Sequence, residues 1–141
     1  GGSVLQPHVV GRIVSRSGEV VYQAQPTVIR QVDLAPTTVQ SFLYDMNRVV
    51  TRGTASAAFR GFGATLDQVG GKTGTGQTVI NKDNHAWFVG VGPLDSPRWV
   101  VAVLIEEGGS GGRVAAPVAR HIMQYLMGES PTPIVEGAAA D

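Results

Sequence analysis

Apolar positions along this chain repeat with two different periods, and the switches between them outline its elements. Residues 8–16 (His8-Val9-Val10-Gly11-Arg12-Ile13-Val14-Ser15-Arg16) have strand composition. Ser17-Gly18 makes a turn, and Glu19-Val20-Val21-Tyr22 returns as the second arm of a hairpin. After a polar connection containing Pro26, Pro36 stands where the first turn of a helix accepts proline. Val39, Phe42, Leu43, Met46, Val49 and Val50 then form one helical stripe, and Gly53 stops it. Residues 54–66 are small and glycine-rich, which predicts a short helix followed by a loop. Three segments bounded by glycine or proline follow: Gln68–Thr78, His85–Gly92 and Arg98–Glu106. The run Trp99–Ile105 is apolar almost throughout, the pattern of a strand covered on both faces. A second helical stripe, Val114, Val118, Ile122 and Tyr125 or Leu126, predicts a terminal helix over Val114–Met127. The order hairpin, helix, three strands, helix is an α+β pattern with an antiparallel sheet and packed helices.

Composition narrows the function classes. At 141 residues, 43% of them hydrophobic and 16% charged, the chain reads as one globular domain. The expected boundaries are 1–128 for the folded part and 129–141 for a flexible Pro/Ala-rich tail. Eleven basic residues balance eleven acidic ones, so no nucleic-acid partner is expected. The absence of cysteine excludes thiolate metal sites and thiol nucleophiles, and no metal or other cofactor is expected. No apolar run reaches the roughly 20 residues needed to span a bilayer. Lysine occurs only at 72 and 82, which makes lysine-dependent chemistry easy to place.

The segment Gly70-Gly71-Lys72-Thr73-Gly74-Thr75-Gly76-Gln77 carries the most chemistry. A P-loop would need glycine at the position of Leu66, and Gly74 and Gly76 make a poor helix start. Neither Gly61-x-Gly63 nor Gly74-x-Gly76 has the third glycine of a dinucleotide fingerprint. Two readings stay open on spacing alone. One is a glycine-rich turn with an exposed lysine. The other is a strand edge bordering an active site, with Lys72 as cation, Thr73 and Thr75 hydroxyls at period two, and Gly74 admitting a ligand to the backbone.

The whole stretch resembles a known family. Lys72-Thr73-Gly74-Thr75 is similar to the Lys-[Ser/Thr]-Gly strand of the serine penicillin-recognising enzymes. Val49-Val50-x-x-Gly53-Thr54-Ala55, His85-Ala86-Trp87-Phe88-Val89-Gly90 and Gly111-Gly112-x-x-Ala115-Ala116-Pro117-Val118-Ala119 resemble flanking elements of the penicillin-binding transpeptidases. The likeness runs from about Pro7 to Met127 and looks closer to the monofunctional class B enzymes than to class A. It implies the C-terminal part of the transpeptidase (serine β-lactamase-like) fold. It also implies D,D-transpeptidation of peptidoglycan stem peptides ending in D-Ala-D-Ala, with β-lactams acylating the same serine. By the match, Lys72 lends positive charge and Thr73 and Thr75 hold a carboxylate. The Thr75 N–H forms half of an oxyanion hole, and Gly74 lies between them.

Two signatures of that family are missing. Ser-x-x-Lys would need serine at 69 or 79, both valine. Ser-x-Asn would need serine at positions held by Asp45, Val79 and Lys82. The resemblance therefore implies a partner, the upstream half of the same domain with the nucleophile. It places the protein on the extracytoplasmic face of the membrane, anchored through a segment outside this chain. A non-catalytic binding or scaffold remnant of the same fold is the alternative. Elsewhere, His85 is expected to be structural and Trp87, Phe88 and Trp99 to fill the core. Glu106-Glu107 reads as a solvated loop edge, and Gly108–Gly112 as a connector or an anion cradle.

Overall fold

The computed structural model describes residues 2–77, 79 and 82–134 and divides into two compact units, Gly1–Val39 and Gln40–Asp141. The first unit holds two small antiparallel pairs. Strand β1 (Ser3–Leu5) pairs with β4 (Val28–Gln31), and β2 (Arg12–Val14) pairs with β3 (Val20–Gln23). The expected hairpin is therefore present with a shorter first arm, and its turn is closed by Gly18 N–H donating to Ser15 O. The β1–β4 pair joins segments more than twenty residues apart and has no local signal in the sequence.

Helix α1 (Pro36–Thr51) starts at its proline, and the Gly53 N–H donates back to the Arg48 carbonyl at its end. Of the predicted stripe only Val50 is fully buried, and Phe42 is 63% exposed. Residues 53–61 form successive turns rather than the expected short helix, followed by a 3-10 turn at Leu66–Gln68. These turns carry Phe59 and Phe62, which stack on each other at 5.6 Å, while Phe59 meets Phe88 at 5.5 Å. All three rings are buried and form the centre of the core.

Three strands follow in the order β5–β6–β7, all antiparallel: β5 (Gly70–Gly76), β6 (His85–Gly92) and β7 (Trp99–Ile105). One face of β7 is covered, through Val101 and Val103, whereas Val100 on the other face is 71% exposed. The near-continuous apolar run of β7 is thus covered on one face only among the described residues. Phe88 fills the core as expected, but Trp87 and Trp99 do not, since alternation along β6 turns Trp87 to the opposite face from Phe88.

The terminal helix begins with a π-type turn over Gly111–Ala115 that runs into α2 (Ala116–Leu126). Its buried face is Ala116, Ala119, Arg120, Met123 and Gln124; of the predicted stripe Val118 and Leu126 pack partly buried against the core, whereas Val114, Ile122 and Tyr125 are exposed. Alanines at the contact let the helix lie close to the sheet, and two long polar side chains beside them find backbone partners. Gln124 Nε2 donates to Phe62 O at 2.8 Å, and Gln124 Oε1 accepts from Thr132 N–H at 3.1 Å. Arg120 donates to Ala58 O, Thr132 O and Pro133 O, and burial lowers its pKa. The first residues of the Pro/Ala-rich stretch are therefore held on the domain, whereas 135–141 lie outside the described residues.

Truncating Phe59 to alanine removes the ring shared by the other two, and the expected loss is about 3–5 kcal/mol by denaturant unfolding. Glu129 gives a pH prediction. Its Oε1 accepts from Thr65 Oγ1–H and from Thr65 N–H, both at 2.8 Å, and these bonds depress its pKa. A depressed carboxylate contributes stability above its unfolded pKa and loses it as pH falls through the folded value. Melting temperatures measured from neutral pH into the acid range should fall less steeply for Glu129→Gln than for the parent.

Candidate active site

Strand β5 lies at the edge of the three-stranded sheet, so alternate N–H and C=O groups along it point away from β6. Its register sets the faces. Thr73 pairs with Phe88 and Thr75 with Ala86, which places both threonines on the core face of the sheet. Lys72 and Gly74 pair with Val89 and Trp87 on the other face. A Cβ on Gly74 would lie 3.1 Å from Trp87 Cβ, so the missing side chain makes room for the tryptophan.

Close backbone approaches hold this strand in place. A Cβ on Gly71 would collide with the Phe88 ring, and one on Gly70 would lie 2.9 Å from Met46 Cβ on α1. Asn47, also on α1, spreads its amide over the carbonyls of Val69, Leu66 and Asp67 at 2.8, 3.1 and 3.2 Å, and so ties α1 to the lead-in of β5. On the other side a Cβ on Gly111 would collide with the carbonyls of Gly74 and Trp87, and one on Gly112 with that of Thr54. The Gly108–Gly112 loop therefore ends packed against backbone, and the N–H groups of Gly108 and Gly109 already donate to the carbonyls of Ile105 and Asn84.

The turn after α1 brings Thr54 to β5. Thr54 Oγ1 and Thr73 Oγ1 share a hydrogen bond of 2.9 Å, in which either oxygen can donate. Both hydroxyls open on a cleft of about 480 Å³, which is also lined by Lys72, Arg48, Arg52 and Asp45. Lys72 Nζ donates to the Thr73 carbonyl, and Arg48 donates to Tyr44 Oη at 2.9 Å. Lys72 and Thr73 thus meet in one cleft, while Thr75, exposed further along the strand, is not among its lining residues.

The pattern along the sequence missed Arg48, Arg52 and Asn47. The i, i+4 spacing of the two arginines was a signal available for the first pair. Thr54 was visible only as part of the Gly53-Thr54-Ala55 resemblance. His85 is structural as expected, its Nδ1 accepting from Glu107 N–H at 3.0 Å. Glu107 forms an ion pair with Lys82. Among the described residues no group of three His, Asp or Glu side chains is placed to hold a metal.

The chain is similar to known proteins in sequence and in fold. The profile of the penicillin binding protein transpeptidase domain matches residues 1–124. The chain is 37% identical over 76 residues to the peptidoglycan D,D-transpeptidase MrdA of Haemophilus influenzae, covering 44% of this chain and 12% of that protein. The crystal structure of the D,D-transpeptidase domain of a peptidoglycan glycosyltransferase from Eggerthella lenta superposes with a TM-score of 0.63 and 33% identity, over 89% of this chain and 28% of the other. Penicillin-binding protein A of M. tuberculosis, solved as a penicillin G acyl-enzyme complex, has the same fold, with a TM-score of 0.65 and 24% identity over 89% of this chain and 28% of that one. The chain thus spans about an eighth of that curated relative and little more than a quarter of the two solved chains. With the profile matched over most of its length and an edge strand that displays Lys72-Thr73-Gly74-Thr75, this chain belongs to the penicillin-binding protein transpeptidase family.

Proposed function

We propose that this chain supplies the substrate- and β-lactam-binding strand of a peptidoglycan D,D-transpeptidase of the class B type, whose nucleophilic serine comes from a segment not in this sequence. The observation that carries the reading is the edge placement of β5 with Lys72 and the Thr54–Thr73 hydroxyl pair on one cleft. A cation with two hydroxyls beside it is suited to hold the carboxylate of a D-Ala-D-Ala end or of a penicillin. The exposed Thr75 further along the same edge offers its N–H to the oxyanion that forms when the serine attacks the carbonyl. Gly74 keeps the strand narrow between the two threonines.

In the assembled enzyme the serine oxygen would attack the penultimate D-Ala carbonyl, D-alanine would leave, and an amine of a second stem would take the acyl group. Lys72, Thr73 and Thr75 would act on charge and position in both steps, since none of them forms the covalent bond. The place of action would be the extracytoplasmic side of the cell membrane. No helix among the described residues is long and apolar enough to cross a membrane.

Intact mass spectrometry after incubation with penicillin G tests the assignment. The expected result is that this chain keeps its mass, while a polypeptide carrying Ser-x-x-Lys and assembled with it gains one penicillin. Labelling of this chain itself would overturn the missing nucleophile, and no labelling of the assembled protein would overturn the activity. In the assembled enzyme, Lys72→Ala should slow acylation by roughly 100-fold, read as the second-order rate constant with a chromogenic cephalosporin.

A further inference from the structure

The cleft beside Lys72 holds more positive charge than one carboxylate needs. Arg48 and Arg52 stand on one face of the end of α1, where the Arg52 N–H donates to the Arg48 carbonyl at 2.9 Å and continues the helical spacing. That i, i+4 relation sets their Cβ atoms about 5–6 Å apart, and both residues line the same cleft as Thr54 and Thr73. With Lys72 they make three cations against the single carboxylate of Asp45. Among the described residues neither Asp45 nor any of these cations forms an ion pair, since the one ion pair there joins Lys82 to Glu107. Arg48 is partly held, because it donates to Tyr44 Oη at 2.9 Å and lies over the Tyr44 ring at 5.5 Å, whereas among the described residues the exposed Arg52 guanidinium makes no side-chain hydrogen bond. A tyrosine that stacks and orients one guanidinium beside a second, unpartnered one is an arrangement suited to grip an anion with several N–H donors.

We propose that Arg52, supported by Arg48, is a specificity-determining residue that binds a second carboxylate of the peptide substrate, separate from the terminal carboxylate assigned to Lys72 and Thr73. This rests on the transpeptidase reading above and deepens it. The substrate class is a peptide with two carboxylates, one at its D-Ala terminus and one on a side chain. An uncharged side-chain amide at the second position offers only a neutral acceptor to the arginines and loses the charge-assisted part of the interaction. Both arginines are exposed at the cleft mouth, so the contribution is screened by salt and belongs to ground-state binding. It is therefore carried in KM.

The test uses the assembled transpeptidase and two synthetic peptides ending in D-Ala-D-Ala, identical except for a side-chain carboxylate in one and its carboxamide in the other. Release of D-alanine is followed at low and high salt, and penicillin G labelling is measured on the same preparation. The expected result is a preference of about tenfold in kcat/KM for the free acid, expressed in KM and reduced by salt. Arg52→Gln should bring the ratio close to one, Arg52→Lys should keep part of it, and Arg60→Gln, an exposed arginine away from the cleft, should keep all of it. A preparation that labels with penicillin but shows equal KM values for the two peptides overturns this proposal and leaves the transpeptidase reading standing. So does a preference that survives in Arg52→Gln. A preparation that neither labels nor releases D-alanine overturns both.

Discussion

Everything at the candidate site depends on the backbone of β5 being approached from both sides without intervening side chains. Gly70 and Gly71 admit Met46, Val50 and the Phe88 ring, and Gly111 and Gly112 bring the start of the terminal helix onto Gly74 and Thr54. Any Cβ at Gly71, Gly111 or Gly112 would meet atoms that belong to backbone or to the packed core, so no rotamer change relieves it. The glycines are thus a steric requirement of the packing, and the position of Lys72 and Thr73 follows from them.

That clamp also explains how a turn with no regular structure of its own becomes part of the site. Residues 53–62 are anchored from below by Phe59 and Phe62 in the core and by Gln124 on Phe62 O, and from the side by Arg120 on Ala58 O. With the turn held at those points, Thr54 is carried to 2.9 Å from the Thr73 hydroxyl. Side-chain amides and guanidinium N–H groups that bond to carbonyls replace the ladder this segment lacks, as buried polar backbone requires. The helix α2 therefore serves the site indirectly, through the segment it restrains.

The same economy of contacts leaves surfaces open. The outer face of the sheet exposes Val100, Leu104 and Trp87, and α1 exposes Phe42 and Tyr44. Positive charge is distributed in a related way, with Arg48, Arg52 and Lys72 gathered at the cleft while the chain as a whole is neutral.

By itself the sequence determined the α+β order, the span of α1, the three sheet strands to within two residues and the Lys72–Thr75 motif. Each of these is written locally, as a period of 2 or 3.6, as a Pro or Gly boundary, or as contiguous residues. It misjudged part of the buried face of α2, where the small Ala116 and Ala119 and the polar Arg120 and Gln124 are buried while the larger Ile122 and Tyr125 are exposed. Close approach there depends on side-chain size and on the carbonyls opposite, neither of which a hydropathy period records. The β1–β4 pairing, the role of Phe59 and Phe62, the turn of Trp87 away from the core and the meeting of Thr54 with Thr73 were likewise decided only by the tertiary structure. They join residues far apart in the chain, and contacts of that kind are set by which surfaces remain to be covered once the local elements have formed.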